Sequence, residues 1–300
     1  MADEVVMGLL GSRDIRVVAV IATDVSRRGR DIHHARSAAA ALLAESFVAA
    51  SVLSALQLQK SNAKINFQLE CDGALRGLFV ESDASGLLRG YVKNPLVDIE
   101  GTRGEYRWRP ALGNSGFLSV LRDQGGGEFF RSSVELKEFD LPRDFQRYFE
   151  VSEQIDTGVA IEIVPQNREQ LGKVGGVLLQ TLPGGDVITL RELSERFAER
   201  GELRSALRTG VASAGALLST LLSGFDVEVT SRYPLAWHCP CSKERVVRAL
   251  LTLGRSELED MLRKEGKAEV SCHFCETRYE VSAGELRELI GAVASSGPSS

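Results

Sequence analysis

The sequence holds no G-x-S-x-G turn and no Walker loop, so the common signatures of hydrolysis and nucleotide-driven phosphoryl transfer are missing. A glycine run does occur, Gly125-Gly126-Gly127, but it joins two strand-like stretches rather than leading a strand into a helix, a poor fit to a phosphate loop. Positive charge is not in excess. The net charge is −5, and residues 236–290 carry nine Lys or Arg against ten Asp or Glu, which argues against a nucleic-acid binder. Between Met1 and Asp14 there is no apolar core followed by an A-x-A site, so no secretory signal is read there and the cytoplasm is the expected compartment. Cysteine is scarce, five in 300 residues, yet four of the five crowd together near the end.

Those four form one C-x-C, Cys239-Pro240-Cys241, and one C-x-x-C, Cys272-His273-Phe274-Cys275, separated by 30 residues. In a chain without a secretory signal, clustered cysteines read as metal or redox chemistry rather than a disulfide framework. Two thiolate pairs on tight turns close a tetrahedron around one soft cation, the geometry zinc takes in structural sites. Four sulfurs leave no open position for water or substrate, so a zinc hydrolase is not expected. His238 stands before the first cysteine and His273 lies inside the second pair, and either could replace a sulfur; the all-cysteine set needs no unusual loop. The same thiolates are oxidisable once the metal leaves, so the site is open to two readings, a staple or a switch.

The rest of the chain reads as a mixed α+β protein. With 43% apolar and 26% charged residues in 300, it can bury a sizeable core and is expected to form two domains. Arg16 to Ala22 is a β-branched run, read as a buried strand. Asp24 to Asp31 is polar, and His33 and His34 are read as solvated or capping residues ahead of a helix from Ala35 to Lys60. That helix lacks Gly and Pro and is long enough to raise the question of a membrane span. Glu45 in its middle costs about 2.5–3.5 kcal/mol for insertion, so a buried helix of a soluble domain is expected.

Lys64 to Cys71 alternates apolar and polar residues, which makes a half-buried strand with Cys71 as a small core residue. Leu75-Arg76-Gly77 and Leu88-Arg89-Gly90 head two further runs of an antiparallel meander, their arginines read as exposed strand residues. Strands are expected at 113–122, 129–136, 159–164 and 176–182, and a short helix at 144–150. From Thr189 the composition changes to an amphipathic helix, then to Gly201–Gly224, an Ala/Ser/Leu stretch broken by Gly210 and Gly215. Each interior glycine costs about 1 kcal/mol, so this helical segment is expected to be marginal. The tail shows two capping boxes, Ser256-x-x-Glu259 and Ser282-x-x-Glu285, and two strands around the Cys272–Cys275 turn.

The sequence resembles the heat shock protein 33 family over residues 16–289. The most specific match is Cys239-x-Cys241-Ser242-x-x-Arg245-Val246 with Cys272-x-x-Cys275. The first part agrees in Gly73-x-Leu75-x-Gly77, Arg89-Gly90-Tyr91-Val92-x-Asn94-Pro95, Ser152-Glu153-Gln154, and Gly175-Gly176-x-x-x-Gln180-x-Leu182-Pro183. Members often carry a Gly-Arg pair in the first long helix, where this chain reads Leu43-Ala44-Glu45-Ser46.

The resemblance implies an ATP-independent holdase rather than an enzyme. Reduced, it would hold one Zn2+ through Cys239, Cys241, Cys272 and Cys275 and be inactive. Oxidised, it would form the disulfides Cys239–Cys241 and Cys272–Cys275, lose zinc, unfold its tail and linker, and bind unfolding client proteins, as a homodimer. No nucleic acid or membrane partner is expected. Four regions follow: an α+β core that binds clients, residues 1–185; a helical redox-sensitive linker, 186–235; a four-cysteine zinc-binding domain, 236–294; and a disordered tail, 295–300. Two rival readings remain. A permanent zinc ribbon would bind a protein or nucleic acid without redox switching. A thiol–disulfide oxidoreductase would use Cys239-Pro240-Cys241, but no βαβ context precedes that motif.

Overall fold

A computed structural model describes residues 2–58, 60, 62–98, 109–166, 170–199 and 201–295. The chain divides into two compact units, Met1–His238 and Cys239–Ser300. Both mix helices with sheets, so the fold is α+β.

The first unit runs β1 (Glu4–Leu10), β2 (Ile15–Ile21), α1 (Thr23–His33), α2 (Ser37–Gln57), β3 (Lys64–Cys71), β4 (Gly77–Asp83), β5 (Leu87–Val92), α3 (Arg109–Leu112), β6 (Gly116–Asp123), β7 (Phe129–Glu135) and α4 (Leu141–Tyr148). A π-helical turn, Phe149–Glu153, leads to β8 (Thr157–Val164), β9 (Lys173–Thr181), α5 (Val187–Ala198), α6 (Glu202–Thr209), α7 (Ala214–Leu221), β10 (Glu228–Pro234) and β11 (Ala236–Trp237). The strands form two sheets, ordered β10-β1-β2-β9-β8 and β11-β5-β4-β3-β6-β7. All pairings are antiparallel except β11 on β5.

Helix α2 organises this unit. Its residues from Ala38 to Ser54 are all buried, as expected of a helix apolar on every side. It is the one described helix long and apolar enough to cross a membrane, and it is a core helix, with 89% of that window inside the fold. Its serines stay satisfied without water: Ser46 and Ser51 donate to the carbonyls of Leu42 and Phe47 at 2.7 Å, and Ser54 donates to Ser82 at the same distance. Small residues let strands approach closely. A Cβ on Gly176 of β9 would lie 2.5 Å from Val48, so only glycine fits there.

The first sheet is buried on both faces, which is why β2 reads as a continuous apolar run. Val18 and Val20 join the core around α2, while Val17, Ala19 and Ile21 join a second core beneath α5, α6 and α7. Leu190, Leu193, Phe197, Leu203, Leu207 and Leu217 cover that second face. The segment read as a marginal helical linker is thus three short helices that fold by packing on a sheet, with glycines at positive φ in the breaks, Gly201 and Gly210. It also contains a strand. β10 pairs with β1 as the sheet's edge, although nearly all its side chains are exposed. Glu4 of β1 ties two parts of the segment: it accepts from the Gly215 amide at 3.3 Å and pairs with Arg232 of β10 at 3.7 Å.

Other differences are local. Residues 24–33 form α1 rather than a polar lead-in, because Gly29 lets the helix meet Phe47 and Trp237; a Cβ there would lie 2.9 Å from the Phe47 ring. His33 is buried with Nε2 2.9 Å from the Gly90 carbonyl, and His34 is the left-handed cap (φ 47°). Arg89 is not an exposed strand residue: it forks onto Glu81 with two 3.0 Å bonds, both side chains mostly buried. Arg76 lies in a turn and is exposed. Cys71 sits half-buried at the end of β3.

The second unit comprises α8 (Lys243–Leu251), α9 (Arg255–Glu265), β12 (Ala268–Ser271), β13 (Arg278–Val281) and α10 (Ala283–Ser295). Among the described residues its core has seven buried apolar side chains, including Val246, Leu250, Leu258 and Leu286. The box at Ser282 and Glu285 forms as read, each side chain taking the other's amide at 3.4 and 2.8 Å. The box at Ser256 does not. Gly254 occupies the cap, Ser256 lies inside α9, and Glu259 turns to Arg255 at 2.6 Å. Ser295 ends α10; the remainder of the expected disordered tail, 296–300, lies outside the described residues.

Candidate metal centre

The second unit begins at Cys239 and places all four clustered cysteines on its loops. Cys239-Pro240-Cys241 leads into α8, whose first turn is capped by the Ser242 hydroxyl, 3.4 Å from the Arg245 amide. Cys272–Cys275 is the turn of the β12–β13 hairpin. There the Cys272 amide donates to the Thr277 carbonyl at 3.0 Å, and Glu276 takes a left-handed conformation that closes the knuckle. A 2.6 Å ion pair between Lys243 and Glu285 joins the starts of α8 and α10. That pair, with the Ser282 amide, holds the Glu285 carboxyl at a pKa of about 2.

These loops bring the four Sγ atoms within 4.8 Å of one another. Cys239 and Cys272 approach to 3.7 Å, and Cys241 and Cys275 to 3.2 Å. A cation with four sulfur bonds of about 2.3 Å sets its ligands about 3.8 Å apart, so the cluster fits one ion with little adjustment. None of the five cysteines is in a disulfide. Neither His238 nor His273 belongs to the four-atom group, and Cys71 lies in the other unit.

Two neighbours escaped the sequence reading. The Tyr279 hydroxyl donates to Cys241 Sγ at 3.0 Å, and Thr277 Oγ1 lies 3.2 Å from Cys275 Sγ. Their spacing held the signal: Thr277 immediately precedes β13 and Tyr279 lies within it, two residues apart in extended chain, so both point to one face. The surroundings split the thiols. At Cys241 burial first, then hydrogen bonding with the facing cysteines, pushes the pKa up to about 12. Burial also raises Cys272. Burial opposes the shift at Cys275, but the Thr277 hydroxyl and amide and the opposing thiols together bring it down to about 7. One thiolate poised near neutrality beside three facing sulfurs can ligate a soft metal or attack an oxidant.

The family model described as Hsp33 protein matches residues 3–282. A 33 kDa chaperonin of Thermodesulfovibrio yellowstonii is 34% identical over 288 residues, which is 96% of this chain and 99% of that protein. A 33 kDa chaperonin of Bacillus subtilis is 31% identical, with 96% and 98% covered. A crystal structure of the 33 kDa chaperonin (heat shock protein 33 homolog) of Thermotoga maritima superposes with a TM-score of 0.78 at 26% identity, covering 98% of this chain and 100% of that one.

Proposed function

The chain belongs to the Hsp33 family of chaperones, and on that footing we propose that it is an ATP-independent holdase, not an enzyme, whose activity is switched by oxidation of Cys239, Cys241, Cys272 and Cys275. The observation that carries this reading is a four-thiol cluster in a small unit whose core, among the described residues, has seven buried apolar side chains. A core in a unit this small rarely supplies more than about 3–5 kcal/mol, whereas structural zinc adds on the order of 10 kcal/mol.

The resident ion we assign is Zn2+, which suits a closed all-sulfur set and, when bound, keeps all four sulfurs as thiolates and joins the two knuckles. Cys275 carries the most acidic of the three shifted thiols, and Tyr279 orients Cys241. One peroxide oxidises a cysteine sulfur to a sulfenic acid with loss of water. A neighbouring thiol then displaces the hydroxyl as a second water and forms a disulfide. Two peroxides thus convert four thiols into Cys239–Cys241 and Cys272–Cys275. Near-neighbour bonds leave the knuckles untethered, so the tail is free to unfold; bonds across the cluster would staple it.

The linker then follows. α6 and α7 are eight residues each, too short to hold as isolated helices, and depend on packing against the first sheet. Their release would bare the face of Val6, Val17, Ala19, Ile21, Val177 and Leu179, an apolar surface for unfolding clients or a second copy of the chain. The setting is the bacterial cytoplasm, with no nucleic acid or membrane as partner.

The test is suppression of client aggregation by the zinc-loaded reduced protein and by the peroxide-treated protein, with released zinc measured in the same samples. Suppression only after oxidation, in step with zinc loss, is expected. Zinc retained under peroxide with no suppression in either form would make the cluster a permanent staple and overturn the reading.

A further inference from the structure

Remote from the cysteines in sequence, the first unit contains a cavity of about 300 Å³. Arg16 of β2 and Gln180 of β9 line it from the first sheet, where they are direct cross-strand partners. Arg122 of β6 lines it from the second sheet, Gln57 from the last turn of α2, and Glu153 from the π-helical turn. π-turns are rare and recur at functional sites. Here the turn is closed by Gln154 at a φ of 56°, and it sets Glu153 facing the two sheets. Glu153 and Gln180 both belong to motifs that the cysteine chemistry leaves unused.

The polar groups of this lining are only partly spent on one another. Arg16 Nη2 donates to the Gln180 side chain, and Arg122 Nη2 lies 3.5 Å from Glu153 Oε1. That carboxylate oxygen also accepts from Tyr148 at 3.0 Å and from Gln57 at 3.3 Å. Nε of Arg16, Nε of Arg122 and Oε1 of Gln57 are buried with no protein hydrogen-bond partner. Leaving a buried donor or acceptor unpaired is costly, and native folds do so at few places. Burial also disfavours the charged form of Arg16, a cost that an anion would offset. Two guanidiniums face one carboxylate, so the lining carries one positive charge in excess.

We propose that this cavity binds a small hydroxylated oxyanion, a carboxylate or a phosphate ester, with its anionic group on Arg16 and Arg122 and its hydroxyls on the glutamine amides. Guanidinium forks suit both oxyanions. The volume is at the small end for ligand sites, which selects a compact metabolite over a nucleotide or a peptide. The site is separate from the residues of the redox reading, because its lining contains no cysteine and no residue of the linker, 186–235.

The experiment uses the full chain, reduced and zinc-loaded, titrated by calorimetry with inorganic phosphate and, separately, with malate, at ionic strength held constant with potassium chloride. Saturable binding of one anion per chain is expected. Preference for phosphate assigns a phosphate ester and preference for malate a carboxylate. Arg122→Gln and Arg16→Gln should each weaken binding about tenfold or more. Glu153→Gln should strengthen it, since it removes the repelling charge, a gain that a merely structural residue would not give. Arg131→Gln, exposed on β7, should change nothing. Thermal unfolding without ligand checks the fold of each variant, and if Arg16→Gln does not fold, the opposed effects at Arg122 and Glu153 carry the test. Absence of saturable binding by both anions, or binding that survives Arg122→Gln and is not raised by Glu153→Gln, overturns the proposal.

Discussion

Truncating one leucine of α7 should open the linker without any oxidant. Leu217 is fully buried in the core between α5–α7 and the first sheet. Leu→Ala at such a site costs about 2–5 kcal/mol. The loss falls on an eight-residue helix that cannot stand alone, so it is spent on local opening before global unfolding. A loss of about 3 kcal/mol raises the open population on the order of a hundredfold. Hydrogen exchange of the reduced, zinc-loaded Leu217→Ala protein should show protection lost in α6, α7 and β10 and kept in β3, β4 and β6. The same sample should suppress client aggregation without peroxide. Leu118→Ala, equally buried but in the core around α2, is the control: it should weaken the whole unit with no such selective opening. If α7 exchanges freely in Leu217→Ala while the reduced protein stays inactive, the face under the linker is not the client surface.

Three further outcomes are expected. Tyr279→Phe removes the hydroxyl that donates to Cys241 while keeping the ring; zinc affinity, read by chelator competition, should fall about 10–100-fold and zinc release under peroxide should quicken, whereas an unchanged affinity would make the bond incidental. Disulfide mapping of the oxidised chain should find Cys239–Cys241 and Cys272–Cys275; a bond between Cys239 and Cys272, the pair 3.7 Å apart in the folded unit, would predict a stapled, folded and inactive tail. Asp3 is buried and accepts from the Val25 amide at 2.7 Å at the start of α1; burial, outweighing that bond, raises its pKa from 3.8 to about 6. The folded state therefore binds this proton more tightly, and its stabilising contribution, full below pH 4, is lost as pH rises through 6. Asp3→Asn should abolish that slope and raise stability at pH 7 by on the order of 2 kcal/mol, measured by urea unfolding from pH 4 to 7; equal slopes in both proteins would remove Asp3 as the cause.

What the chain reveals as text follows from where its signals are local. The alternation of Lys64 to Cys71 and the repeated Leu-Arg-Gly headings marked the meander, because half-buried strands write their burial every second residue. β10 wrote nothing, since an edge strand with exposed side chains has no apolar period. β1 passed unread beside it. α1 was hidden by its charges and by Gly29, whose reason lies in the distant Phe47 and Trp237. Ser256 formed a legible box that Gly254 pre-empted by one turn's choice of cap. The cysteines were legible because metal spacing is itself a local signal. Their hydroxyl neighbours, Thr277 and Tyr279, required the direction of β13, and the cavity of Arg16, Arg122 and Glu153 exists only once two sheets meet.

The pairing of β10 with β1 bears on how broad a range of clients one surface can hold. β10 is the last strand of its sheet and belongs to the segment proposed to leave on activation. Its departure would free a row of backbone amides and carbonyls along Glu4–Leu10, beside the apolar face bared by α6 and α7. A strand edge pairs through main-chain groups that every polypeptide has, so it discriminates little between sequences. It also pairs with other copies of itself. Breadth of recognition and a tendency to self-associate would thus be two faces of one exposed edge, and renewed exchange protection of the Val5–Leu9 amides in client complexes would reveal it.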